Sequence, residues 1–197
     1  GTLEHINQRY QAQSGQEIRL SSASTGVLAS QLQHGAPFDL FFSADLAAPQ
    51  QLLDAGIGQS ATCYAHGQLA LVGGGLEALK DPQPTLAIAN PVTAPYGRAA
   101  EEVLARTEFS AGRTRQLVRG TNVLQAYQFW RAGAADLALV ARSLAPEGSP
   151  VPPSWHQPLQ QDLLVLRQSA SISAYLQWLR SDTVRQMIIE AGYQPCP

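Results

Sequence analysis

Residues 85–106, TLAIANPVTAPYGRAAEEVLAR, contain a complete strand–loop–helix unit, and its reading decides the fold. Thr85–Ala89 is an apolar run of strand length that ends on the turn signal Asn90-Pro91. Thr93–Gly97 supplies a Pro/Gly loop, and Arg98–Arg106 spaces its apolar residues at helical period. The unit recurs on both sides. Downstream, a strand at Gln116–Arg119 leads through Gly120–Val123 into a helix at Val123–Ala132 bearing Leu124, Tyr127 and Trp130, and Asp136–Val140 is a further strand. Upstream, a strand near Glu17–Ser21 leads through the polar turn Ser22–Gly26 into a helix with Val27, Leu28 and Leu32. Strands alternating with amphipathic helices predict an α/β protein built on mostly parallel sheets flanked by helices.

The rest of the chain fits that alternation. It opens on a helix with Leu3, Ile6 and Tyr10 on one face and Ser14-Gly15 as its stop. Phe38–Ser43 reads as a buried strand and Pro49–Ala55 as a helix. Pro146–Pro158 is a loop, followed by a strand at Asp162–Arg167 and helices at Ile172–Leu179 and Thr183–Ala191, with Gly192 as the last C-cap. Two longer extended stretches, 63–72 and 159–168, are spaced as crossovers. A chain that leaves one lobe, builds a second and returns places a ligand cleft between the two.

Composition excludes several function classes. The 197 residues are 45% hydrophobic and 14% charged, with a formal net charge of −2. The 13 Lys and Arg are scattered, and Lys80 is the sole lysine, so there is no basic patch for nucleic acid. No stretch approaches the ~20 apolar residues of a membrane span, and no signal peptide is present in these residues. Cys63 and Cys196 have no metal-ligand spacing. They are either one disulfide or two buried thiols, according to compartment.

Three loops share one design. Ser21–Gly26, Asn90–Gly97 and Gly120–Val123 each follow a strand and open a helix. Free amides and the positive end of the helix dipole make such a terminus an anion site. The competing reading is plain helix capping by Ser, Thr and Asn. Three such loops nearly free of cationic residues favour anion binding. There is no Asp or Glu in Ser21–Gly26, Asn90–Arg98 or Thr121–Gln128. A protonated phosphate needs an acceptor, whereas a fully ionised oxyanion needs donors alone; the pattern therefore favours an unprotonated dianion.

Little points to catalysis. His5, His34, His66 and His156 are widely separated and form no motif, and there is no G-x-S-x-G elbow, P-loop or H-E-x-x-H. Asp39 and Asp45 read as residues that start or cap elements. Arg98 stands in the first turn of its helix, either near an anion or solvated.

The segments SSASTGVLASQLQHGAPFDLFFSAD (21–45), LAIANPVTAPYGRAAEEVL (86–104), TNVLQAYQFWRAGAADLALVA (121–141) and SDTVRQMIIEAGY (181–193) resemble the periplasmic molybdate-binding proteins of ABC importers. The resemblance spans nearly the whole chain. It implies a two-lobed periplasmic binding protein fold of type II, with lobe I at 1–68 plus 165–197, lobe II at 69–164, and two crossover strands between them. It implies that Thr25 donates its hydroxyl and amide to the ligand, flanked by Ser24 and Gly26, and that Tyr96 and Val123 donate backbone N–H groups. A tyrosine that contacts the ligand in some relatives falls here on Ala141. The family's first strand, which ends in a small polar pair of further donors, has no counterpart before Gly1-Thr2-Leu3-Glu4. Weaker molybdate binding than in a relative with that strand is therefore expected.

The resemblance further implies a receptor that captures molybdate or tungstate in the periplasm and delivers it to a membrane ABC permease. No catalysis, cofactor or resident metal is expected, and molybdenum enters as the oxyanion alone. A periplasmic setting implies a Cys63–Cys196 disulfide. The alternatives are a sensory or regulatory module of the same fold and a binder of another oxyanion such as sulfate.

Overall fold

A computed structural model describes residues 1–196. Helix α1 (Thr2–Ser14) buries Ile6 and Tyr10, one helical turn apart, and ends where Gly15 adopts φ 71°. Then follow α2 (Thr25–Gln33), β1 (Leu40–Ser43), α3 (Ala47–Asp54), β2 (Ser60–Gly67) and β3 (Leu69–Val72). Strand β4 (Leu86–Ala89) enters α4 (Pro95–Leu104), and β5 (Leu117–Gly120) enters α5 (Val123–Arg131). Strands β6 (Leu137–Ala141), β7 (Ser149–Pro150) and β8 (Leu159–Val165) precede the closing helices α6 (Ala170–Leu179) and α7 (Asp182–Glu190).

These strands form two sheets, in the orders β1-β8-β2 and β5-β4-β6-β3-β7. The α/β reading, with two sheets and helices flanking them, holds. Strand direction corrects it. The first sheet is antiparallel throughout, because β8 lies between β1 and β2 and runs against both. The second is mixed: β4 is parallel to β5 and β6, while β3 is antiparallel to β6 and β7. The antiparallel pairs arise where the chain crosses between sheets. The outgoing strand β2 and the returning strand β8 lie side by side, and two such crossings run in opposite senses.

The stretch expected as one strand over 63–72 is two. Strand β2 ends at Gly67 in the first sheet, and β3 begins at Leu69 in the second. Gln68 is the crossing residue, pinned by the Arg142 amide at 2.8 Å and the Arg142 guanidinium at 2.9 Å. On the return, Leu159–Val165 already ladders with β1 and β2. The strand expected near Glu17–Ser21 is not one: these residues have no ladder partner, and a strand exists only as part of a pair.

Burial explains the second sheet. Strands β3, β4 and β6 are buried at every position, so their apolar runs are continuous rather than alternating. One face packs on Ala99, Ala100 and Val103 of α4, the other on Ala126 of α5. In the first sheet, Phe41 and Leu164 pack under Leu32 and Leu52. Ala65 packs with Ile6 of α1 and with Val184 and Ile188 of α7. Cys63 and Cys196 form a disulfide that ties the C-terminal residues to β2. No helix among the described residues is long and apolar enough to cross a membrane.

Leu139, fully buried on central strand β6, tests this core. Leu139→Ala is expected to cost about 3 kcal/mol, read as a lower urea midpoint with an unchanged slope.

Candidate functional site

A cleft of about 990 Å³ borders elements of both sheets. Ser24, Thr25, Tyr96 and Val123 line it, together with Ala141 at the end of β6. One side follows Leu40–Phe42 of β1, whose outer edge has no paired strand among the described residues, and residues 16–22 also border the cleft. The volume is far larger than a small tetrahedral ion, so the donors that converge in it, rather than its size, define a site.

Three helices begin at the cleft. At α2, Ser24 takes the extended N-cap conformation, φ −66° and ψ 150°, yet its side chain caps nothing. Its hydroxyl is buried without a hydrogen-bond partner. A buried, unpaired hydroxyl costs ~1–3 kcal/mol, which makes this one a candidate ligand donor. Next to it, the Thr25 hydroxyl oxygen accepts from the Ala44 amide at 3.0 Å. Its proton is thereby left to donate elsewhere. Thr25 itself is only 5% exposed.

At α4, Ala94 is the N-cap and no side chain caps the helix. Pro95 occupies the first turn without an N–H, so the Tyr96 amide is the first donor of the helix. Asn90 shapes the loop: its side chain accepts from the Val92 amide at 3.0 Å, and its carbonyl accepts from Ala94 at 2.8 Å. The helix starts at Pro95 rather than at Arg98, because proline's fixed φ suits the first helical position.

At α5, the Asn122 side chain accepts from the Gln125 amide at 2.9 Å, and Gln125 reaches back to the Thr121 amide at 2.6 Å. This reciprocal cap occupies the third amide of the helix. The Val123 amide, the first, has no partner within the helix by its geometry.

The electrostatics are those of dipoles. Three helix N-termini present partial positive charge to one cleft. The charged residues that border it, Glu4, Glu17, Arg19 and Asp39, come from α1, from the segment after it and from the approach to β1, not from the three loops. Burial pushes the Tyr64, Tyr96 and Tyr193 phenols above their ordinary range, so they stay neutral.

Gly26 has a different place from its neighbours. Its amide donates to the Thr93 carbonyl at 2.9 Å, so it is spent on the protein. A Cβ at this position would lie 3.0 Å from the Thr93 oxygen and 3.2 Å from its Cα. Glycine is what lets α2 and the loop before α4 touch. Arg98 spans the same gap, pairing with Asp45 just beyond β1. Asp45 also caps α3 through the Ala48 amide at 3.0 Å. This pair and the tyrosine lining were not legible in the sequence, since Asp45 and Arg98, or Tyr64 and Tyr193, share no local pattern. Among the described residues, the group of Cys and His side chains within metal-binding reach of one another is Cys63, His66 and Cys196, none of which lines the cleft.

The family model of the bacterial extracellular solute-binding proteins matches residues 1–194. The chain is 31% identical over 212 residues to the molybdate-binding protein ModA of Azotobacter vinelandii, covering 97% of this chain and 84% of that one. Its structure is similar to that of the Azotobacter vinelandii periplasmic molybdate-binding protein, with a TM-score of 0.87 at 29% identity, covering 100% of this chain and 95% of the other. It shares its fold with the sulfate-binding protein SubI of Mycobacterium tuberculosis, with a TM-score of 0.79 at 14% identity, covering 98% of this chain and 82% of that one.

The double duty of Asp45 gives an unequal outcome. Arg98→Ala removes one partly exposed ion pair and is expected to cost under ~1 kcal/mol. Asp45→Ala also uncaps α3 and is expected to cost about 1 kcal/mol more. Chemical denaturation of both variants checks the difference.

Proposed function

The chain belongs to the bacterial extracellular solute-binding protein family, and on that premise we propose that it captures molybdate in the cleft and hands it to an ABC importer. Tungstate, of the same shape and charge, is the second cargo. The observation that carries the reading is the Ser24 hydroxyl, buried without a partner at one of three helix starts that open on the cleft. The ligand set is Thr25 through hydroxyl and amide, Ser24 through hydroxyl, and Tyr96 and Val123 through amides. Gly26 serves by letting the two sides approach. The protein works in the periplasm and carries out no catalysis.

The two sheets are the cores of two lobes, joined at Gln68 and at the loop before β8, with the ion held between them. Neutral donors suit a dianion that carries no proton. A carboxylate at the helix starts would be needed to accept from a protonated phosphate, and none is found there. The same donors lose nothing with pH, because none of them titrates near neutrality.

A thermal-shift series with molybdate, tungstate, sulfate, chromate and phosphate tests the reading. Molybdate and tungstate are expected to raise the melting temperature most and phosphate not at all. A stronger response to phosphate or to a small organic acid overturns the assignment.

Ser24→Ala separates function from stability. Its hydroxyl bonds nothing among the described residues, so the variant is expected to fold at least as stably as the parent. It should bind molybdate ~10-fold more weakly, as expected for loss of one hydrogen bond to an anion. Isothermal titration beside a melting curve checks both halves. Gly26→Ala is expected to weaken binding by a similar ~10-fold through the contact with Thr93, by forcing apart surfaces packed at van der Waals distance.

A further inference from the structure

We propose that Cys63, His66 and Cys196 form a two-thiolate, one-imidazole site for zinc(II) once a dithiol has reduced the bond between the cysteines. Their ligand atoms lie within 4.8 Å of one another. In a tetrahedral zinc site, Zn–S distances of about 2.3 Å and Zn–N distances of about 2.0 Å place the ligands ~3.5–3.8 Å apart. The side chains therefore need adjustments on the order of 1 Å. The Cα atoms of the two cysteines, 6.1 Å apart, need not move far.

The strand is built for this grouping. In a regular strand, residues three apart point to opposite faces, so Cys63 and His66 would diverge. The register of β2 against β8 shifts between Cys63 and Ala65, an irregularity that inserts an extra residue at Tyr64. It turns the two side chains toward one another. Cys196 is held near them independently of the disulfide. The His66 amide donates to the Gln194 carbonyl at 2.7 Å, and the Gln194 amide returns to His66 at 2.9 Å. Reduction therefore leaves the tail docked.

His66 supplies the observation that points to a ligand. Its Nε2 is buried without a hydrogen-bond partner. Such an atom in a folded protein calls for a partner, and one nitrogen of the same ring lies within 4.8 Å of both sulfurs. A cavity of about 90 Å³ lined by His66, His156 and Gln194 adjoins it. The fourth position of the tetrahedron is left to a water from solvent.

The chemistry balances. A dithiol passes two electrons and two protons to the disulfide, leaving Cys63 and Cys196 as thiols and itself as a cyclic disulfide. Zinc(II) then displaces the two thiol protons, so that the two thiolates neutralise its charge. In the oxidised chain neither sulfur is a thiolate, and the site is closed to metal.

Cobalt(II) is the spectroscopic probe, added anaerobically to the reduced chain after removal of reductant. The expected result is one equivalent bound, with a thiolate-to-cobalt charge-transfer band and tetrahedral d–d bands, both erased by zinc. The oxidised chain and the reduced, alkylated chain should show neither. His66→Gln preserves the backbone bridge and is expected to weaken binding by at least ~10-fold and to change the d–d bands, while Cys196→Ser loses much of the charge-transfer intensity. A reduced wild-type chain without these bands overturns the proposal. So does a His66→Gln variant indistinguishable from wild type.

Discussion

The antiparallel pairing of β2 with β8 is the constraint on which the rest of the molecule depends. The chain crosses between its two sheets twice, and this pair brings both crossings together. Gly67, at the end of β2, pairs with Leu159, at the start of β8. The surroundings are adapted to this junction. A Cβ on Gly67 would overlap the Tyr96 hydroxyl and crowd Gln161, so glycine lets the tyrosine of α4 seat against the crossing strand. Tyr96, which lines the cleft, is thus seated by its ring at the junction.

Ordered amides distinguish the three helix starts, none of which carries a lysine or arginine ahead of Arg98. An arginine or lysine there would attract any anion and would carry a flexible side chain that must be ordered on binding. Backbone amides at a helix start are already ordered, and their partial charge does not titrate. Arg98 illustrates the separation of roles. It lies two residues from Tyr96, but its charge is matched by Asp45 across the gap. The three helix starts act through their dipoles, and the Arg98 cation works on the contact between the walls.

How much of this the sequence revealed depended on range. Strand–loop–helix units were legible because Asn90-Pro91 and Pro95 punctuate them locally, and the three helix starts bordering one cleft were anticipated from hydroxyl, Gly and Pro content. Strand direction was not legible. The apolar runs of β2 and β8 look the same whether they run parallel or antiparallel, and only the crossing geometry decides between the two. Residues near Glu17–Ser21 have strand composition but no partner, and pairing is a tertiary fact. The bulge at Tyr64 and the Asp45–Arg98 pair escaped for the same reason, since each joins groups with no shared periodicity.

The tripeptide Ser24-Thr25-Gly26 shows why local composition alone misleads about roles. All three read as capping or turn residues, and any of them satisfies a helix start. In the fold they diverge. Ser24 caps nothing and keeps a buried hydroxyl unpaired. Thr25 accepts from Ala44, which orients its remaining proton. Gly26 gives its amide to Thr93 and has no side chain to hold the walls apart. A sequence optimised for the helix alone would spend the Ser24 oxygen on an amide of α2 and gain about 1 kcal/mol. Leaving that gain unused at a cleft wall sets Ser24 apart from its two neighbours as the candidate ligand donor.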